Sequence, residues 1–262
     1  MVVFCPLCSG SSGNAAYFEG GGIRLLIDAG LSCRRITALL GEIGVTPDTL
    51  DAILITHEHS DHIAGARVLS DKYGLPVYAA PDCWLAMRIA GHGVSAERMR
   101  VFEPDTEFYL GQVRVLPFTT PHDSAHAVGF SLFAEGKKVT VMTDIGCVTN
   151  HMLDVAAGSD LLLMESNHDV DMLKAGSYPY PLKQRILSRT GHLNNEDAGL
   201  AAVKLFGRGV RNIILGHLSQ ENNTKELALL TVESVLEDAG VLDAMHIIVA
   251  ERDRPCGVYE LP

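Results

Sequence analysis

The sequence predicts an α/β fold in which two mixed β-sheets lie face to face between outer helices. Three observations carry that expectation. Short apolar runs of β type recur along the 262 residues and end in polar loops, helical patterns lie between them, and the first half adds runs that read as antiparallel meanders.

The apolar runs are IRLLIDAG (23–30), DAILITHEH (51–59), KKVTVMTD (137–144), SDLLLMESNHD (159–169) and RNIILGH (211–217), and each delivers a His or Asp at its C-terminal end. Helical patterns span Ser32 to Gly44, His62 to Gly74, Asp82 to Gly91, Asn195 to Gly207 and Asn223 to Gly240, stopping at glycine as helices often do. In the last of these, Asn223 and Glu226 have capping spacing, and Leu227, Leu230, Val235 and Leu236 give an apolar face. NAAYFEG against IRLLIDAG, and FYLGQVRVLPF before HAVGFSLF, read as meander strands. With no fixed-period repeat, low-complexity tract or long linker, residues 1–262 read as a single domain without a separate nucleic-acid-binding or insertion domain.

Composition narrows the function. Hydrophobic residues at 47% and charged residues at 20% are globular values. No apolar run approaches the roughly 18 residues of a membrane span, and the start, MVVFCPLCSG, lacks the plan of a signal peptide, so a cytoplasmic protein is expected. Six scattered cysteines fit reduced thiols, with Cys5 and Cys8 placed in a first strand. A net charge of −11 argues against a broad nonspecific grip on nucleic acid, although two divalent cations would cancel part of it where a phosphate must approach.

The chemistry begins at His57, Glu58, His59, Ser60, Asp61 and His62. After an apolar strand, His57 and His59 point to one side of extended backbone and can share a metal ion. Asp61 and His62, where the next helix begins, present an oxygen and a nitrogen to a second position. Imidazole with carboxylate suits Zn²⁺, Mn²⁺ or Fe²⁺ rather than Ca²⁺ or Mg²⁺. The same strand-end rule adds His122, Asp144 and His217, turning four local donors into seven. Two adjacent divalent ions activate water and polarise a scissile group, which is hydrolysis.

This pattern resembles the metallo-β-lactamase superfamily, HxHxDH followed by His, Asp and His at successive strand ends. Within it, SGSSGN (9–14), LLIDAGLSCRRI, ILITHEHSDHIAG, ESNHDVDML, YPYPLKQRILS, GHLNNEDA and LGHLSQENN resemble the YycJ/WalJ group of exonuclease-like hydrolases. The resemblance implies an αββα sandwich, with His57, His59 and His122 on one metal, Asp61, His62 and His217 on the other, and Asp144 bridging. It further implies that DNA ends are the partner, with double-stranded DNA degraded from the 5′ end, and neither a membrane nor a nucleotide cofactor.

Roles outside the metal ligands follow from position. Asp61 is counted with the catalytic residues as well as the ligands, and His168 is the expected general acid, the alternatives being a structural histidine or an extra metal ligand. Glu165 either orients a ligand histidine or is a buried structural carboxylate. Ser11, Ser12 and Asn14 in the Gly and Ser-rich turn either receive a phosphate or serve the turn itself. His192 and Asn194 either bind substrate or, for the asparagine, cap the following helix. Lys183, Arg185 and Arg189 form either a basic rim or a solvated face. The rival functions are a small-molecule ester, lactone or cyclic phosphodiester hydrolase of the same fold, and a noncatalytic regulatory module.

Overall fold

A computed structural model describes residues 1–262. The first sheet contains β1 (Val2–Cys8), β2 (Ala15–Gly20), β3 (Ile23–Ile27), β4 (Ala52–Leu54), β5 (Val77–Ala79), β6 (Met99–Val101) and β14 (Tyr259–Leu261), in the spatial order β14-β1-β2-β3-β4-β5-β6. The second contains β7 (Phe108–Leu110), β8 (Val113–Thr119), β9 (Val128–Ala134), β10 (Lys137–Met142), β11 (Leu161–Glu165), β12 (Asn212–Gly216) and β13 (His246–Val249), in the order β13-β12-β11-β10-β9-β8-β7.

Both sheets follow one plan. An antiparallel meander, β14-β1-β2-β3 or β7-β8-β9-β10, continues into a parallel half, β3-β4-β5-β6 or β10-β11-β12-β13. Parallel neighbours need crossovers. Helices α1 (Cys33–Glu42), α2 (Ser60–Ile63), α3 (Ala66–Tyr73) and α4 (Pro81–Ile89) connect the first parallel half. Connections in the second use α5 (Asn150–Ala156), α6 (Val170–Ala175), α7 (Tyr180–Ile186), α8 (Asn195–Phe206) and α9 (Lys225–Asp238).

Strand alternation divides the core. Val139, Val141, Leu161, Leu163 and Ile214 face the other sheet, whereas Met142, Leu162, Met164, Ile213 and Leu215 pack with residues of α5, α8 and α9. Burial on both faces explains why β11 and β12 are continuous apolar runs rather than alternating ones. Cys5 and Cys8 lie in β1 as expected, where burial pushes both thiols up to about 12, and all six cysteines are free. No helix is long and apolar enough to cross a membrane.

Several local expectations are corrected. The predicted helix from His62 to Gly74 is two helices, α2 and α3, separated at Gly65, where a Cβ would stand 2.2 Å from the Leu31 carbonyl oxygen. The last helix is capped by Thr224, whose hydroxyl accepts from Leu227 N at 3.1 Å, and not by Asn223. The Asn223 side chain turns inward, donating to the Ser166 and Asn167 carbonyls. The face of α9 that packs is Ala228, Val232 and Leu236, leaving Leu230 exposed. Helices α5, α6 and α7 lie outside the predicted set; at six or seven residues they are too short to display a full hydrophobic period.

Candidate active site

Carboxyl ends of strands from both sheets converge at one edge of the sandwich, the usual place for a ligand in parallel sheets. Residues 57–62 follow β4, His122 follows β8, Asp144 follows β10, Glu165 closes β11 and His217 follows β12. Asp144 (φ 54°) and His217 (φ 55°) are held in the left-handed region, as is Asp28 (φ 59°) after β3. Such backbone is uncommon outside glycine and concentrates at functional sites. Gly30 lets the loop after β3 lie against the motif, because a Cβ there would stand 1.6 Å from the Asp61 carbonyl oxygen.

The donor atoms assemble into overlapping groups whose members lie within 4.8 Å of one another: His57, His59 and His122; His57, His62 and Asp144; Asp61, His62 and His217; and Asp144, Glu165, His192 and His217. Four of the histidines are tethered outward by Nδ1. His62 Nδ1 is 2.7 Å from Asp28 Oδ2, His217 Nδ1 is 2.8 Å from Glu165 Oε1, His57 Nδ1 is 3.0 Å from Thr56 Oγ1, and His122 Nδ1 is 3.1 Å from the Gly191 carbonyl. That leaves each Nε2 facing the cluster, the arrangement in which metal-binding histidines are normally oriented. His59 uses its other nitrogen, with Nδ1 3.3 Å from His122 Nε2.

The donor set fits divalent cations. His57 Nε2, Asp144 Oδ2 and His217 Nε2 are buried without a hydrogen-bond partner, a costly state for polar atoms that a metal would satisfy. The electrostatics agree. Burial disfavours charge on His62, but the Asp144 and Asp28 carboxylates outweigh it and hold the imidazole well above its usual range. His217 is likewise raised to about 10, where burial is overcome by Asp144, Asp61 and Glu165. Burial would raise Asp144, yet His217 and His62 draw it well below the usual carboxylate range. His57 and His122, dominated by burial, are lowered. A pocket that draws protons onto two imidazoles is one that favours positive charge.

The other sequence-predicted residues separate into different places. Glu165 is fully buried and touches both His217 and His192, each at 2.8 Å, and burial of its carboxyl is outweighed by His192 and His217, which hold it at about 2. His192 is partly exposed at the mouth. His168 is more deeply buried, 1% exposed, with neither ring nitrogen partnered, and burial pushes it down to about 4.

Ser11 and Ser12 are exposed, and Ser12 lines a cleft of about 650 Å³ with Ser9, Asn223, Lys225 and Arg252, to which none of the seven ligand candidates contributes. Asn14 is instead internal. Its side chain accepts from Gly10 N and donates to the Gly10 carbonyl, with His62 Nε2 3.1 Å away, so it joins the turn to the motif. Asn194 caps α8, accepting from Asp197 N at 2.9 Å.

The sequence alone gives no role to three residues that the structure engages. Asp28 accepts from Thr56 N and Thr56 Oγ1 as well as pairing with His62; its position at the end of the IRLLIDAG strand was the available signal. Glu58 points away from the donors and accepts from Ala125 N at 2.7 Å, pinning the loop that follows His122. Asp123 pairs with Arg185 in a two-pronged contact.

A model of the beta-lactamase superfamily domain matches residues 23–218. The chain belongs to the metallo-β-lactamase superfamily. Within the superfamily, it is 44% identical over 235 residues to the exodeoxyribonuclease WalJ of Streptococcus pneumoniae, covering 89% of this chain and 87% of that one. It is 40% identical over 237 residues to the exodeoxyribonuclease YycJ of Bacillus anthracis, covering 90% of each. Among solved structures, the metallo-β-lactamase fold protein YhfI of Bacillus subtilis superposes with a TM-score of 0.75 at 19% identity, covering 99% of this chain and all of that one. That likeness supports the superfamily's sandwich of two mixed sheets with flanking helices.

Proposed function

We propose that the chain is a dinuclear metal-dependent phosphodiesterase that degrades DNA from its ends, running 5′ to 3′ on double strands. The observation that carries the hydrolase reading is the donor set, the seven expected ligands gathered with Glu165 and His192 into overlapping groups, with unpartnered atoms turned inward. The choice of DNA follows the relatives, both named exodeoxyribonucleases at 40% identity or more over about nine-tenths of the chain.

In this reading His57, His59 and His122 hold one ion, Asp61, His62 and His217 the other, and Asp144 serves both. Zn²⁺ and Mn²⁺ are the candidates the imidazole and carboxylate mixture favours, with Fe²⁺ also compatible. Two such ions supply an activated water and neutralise charge that develops on a phosphodiester. The free thiols fit the reducing cytoplasm.

The protein's own part is to orient and to move a proton. Glu165 holds His217 in place through Nδ1 and at the same time holds His192. We place the proton donor for the leaving oxygen at His192, which is tethered by a carboxylate and reaches solvent. His168 is the second candidate because its nitrogens are free. Burial keeps it neutral near pH 7, so it would serve only once an anionic substrate had raised it.

The test is metal-depleted protein reconstituted separately with Zn²⁺ and with Mn²⁺, assayed on end-labelled duplex and single-stranded DNA. Stepwise release of nucleotides from the 5′ end is expected with at least one metal. Hydrolysis of a small ester with no cleavage of DNA under either metal would remove the nuclease reading in favour of a small-molecule hydrolase.

A further inference from the structure

We infer that residues 174–190, an arm between β11 and α8, form the surface along which a DNA strand lies as it enters the metal cluster, with Arg185 and Arg189 meeting backbone phosphates and Tyr180 stacking on a base. This rests on the exonuclease reading above. It goes further by naming where on the chain the polymer is held.

Charge is the first support. The whole chain carries −11, yet from Met172 to Asn195 there is no acidic residue while Lys174, Lys183, Arg185 and Arg189 are basic. A local positive surface on an acidic chain is the complement of a polyphosphate, and it would be wasted on a neutral small substrate.

Placement is the second. The end of the arm is stitched to the loop that carries His122: Asp123 N donates to the Thr190 carbonyl at 3.0 Å, and His122 Nδ1 stands 3.1 Å from the Gly191 carbonyl. Arg185 is half-exposed and grips Asp123 with Nε and Nη2, leaving Nη1 without a protein partner. Asp123 Oδ1 lies in turn 3.6 Å from His122 Nε2, so one carboxylate separates the guanidinium from the ligand candidates. Lys183 has a different task. Its Nζ donates to the Lys174 and Gly176 carbonyls, both at 2.7 Å, and fastens the two limbs of the arm.

Tyr180 is the third support. It is 72% exposed, its hydroxyl makes no hydrogen bond, and it stands between Pro179 and Pro181 at the start of α7. Prolines fix the backbone on either side, so the ring is presented to solvent on a rigid support. An exposed aromatic on the same arm as exposed arginines supplies the two parts that single-stranded nucleic acid uses, rings for bases and cations for phosphates.

The experiment measures binding of the metal-loaded full chain to an oligonucleotide with a phosphorothioate-protected 5′ end carrying 2-aminopurine at the terminal positions. Binding is read by anisotropy over a series of salt concentrations. Arg185→Gln with Arg189→Gln is expected to weaken binding and to reduce the slope of log affinity against log salt by about 1.4, roughly 0.7 for each lost phosphate contact on a single strand. Tyr180→Ala is expected to weaken binding on the order of ten-fold and to relieve quenching of 2-aminopurine. If the double variant loses its metal, Arg189→Gln and Tyr180→Ala alone, both at exposed positions, carry the test. Wild-type slope, affinity and quenching in the variants overturn the surface. Should wild type cleave DNA ends while that happens, the surface alone is wrong; should wild type neither bind nor cleave DNA, the exonuclease reading falls with it.

Discussion

The two sides of the donor cluster are built in opposite ways. The first sheet supplies four donors from one run, His57, His59, Asp61 and His62, so their spacing is set by the turn from β4 into α2. The second supplies His122, Asp144 and His217 one at a time from three strand ends, and their spacing depends on the register of a whole sheet. The first side is local geometry tied down by Asp28 and Asn14. The second is long-range geometry tied down by Glu165, which reaches two histidines at once. A fault in the first should therefore stay local, and a fault in the second should spread.

The largest effect is expected where the sides meet. Asp144→Ala removes the one carboxylate that belongs to two of the donor groups, and DNA hydrolysis should fall at least on the order of 10³-fold with loss of both ions. His59→Ala should leave one ion bound, read by metal content; loss of both ions from that variant would break the picture of two separable sides.

Next comes the proton donor. His192→Ala should lower turnover of DNA by about 10²- to 10⁴-fold and far less on a p-nitrophenyl phosphodiester, whose leaving group needs no proton. If that dependence on leaving group is found in His168→Ala instead, the donor is His168.

The tethers give a smaller effect of about 10- to 100-fold in metal affinity or activity. Asp28→Asn should act on metal affinity alone, through His62, whereas Glu165→Gln should weaken affinity through His217 and slow turnover through His192. Equal profiles for the two, from metal titration and steady-state kinetics, would erase the contrast between the sides.

Acidity sharpens the same contrast, since one raised imidazole sits on each side. Protons on His62 and His217 stabilise the metal-free fold below the ordinary imidazole pKa of about 6.5, and that contribution is lost as pH rises, towards about 10 for His217. Metal must displace those protons, so affinity should rise between about pH 6 and about pH 8 with proton release on loading. A flat profile in calorimetric titration contradicts it.

The smallest effect lies away from both sides. Thr224→Ala removes the cap of α9 and should cost about 1 kcal/mol of stability, seen as a lower melting temperature with metal content unchanged.

What could be seen in the sequence follows the same division. Residues 57–62 announce a metal site because the donors are adjacent, and strand-end position was enough to single out His122, Asp144 and His217. Asp28 obeyed the same rule but carried no distinguishing neighbour; its meaning lies in a contact with His62, 34 residues away. Asn14 and Asn223 read as surface turn and cap residues, while the fold turns both inward, where Asn14 bonds the Asp61 carbonyl as well as its own turn and Asn223 bonds the Ser166 carbonyl. Such contacts depend on how two sheets meet, which no local pattern records. The arm from 174 to 190 and the helix leading into it escaped the helical reading for the opposite reason, α6 and α7 being too brief to repeat a pattern.

Donors from both sheets are proposed to close around two ions. Metal stoichiometry of the intact chain, measured by native mass spectrometry after saturation with Zn²⁺ and separately with Mn²⁺, tests it most directly. Two ions per chain are predicted for wild type with at least one of the metals. A single ion at saturation with each metal would contradict the account.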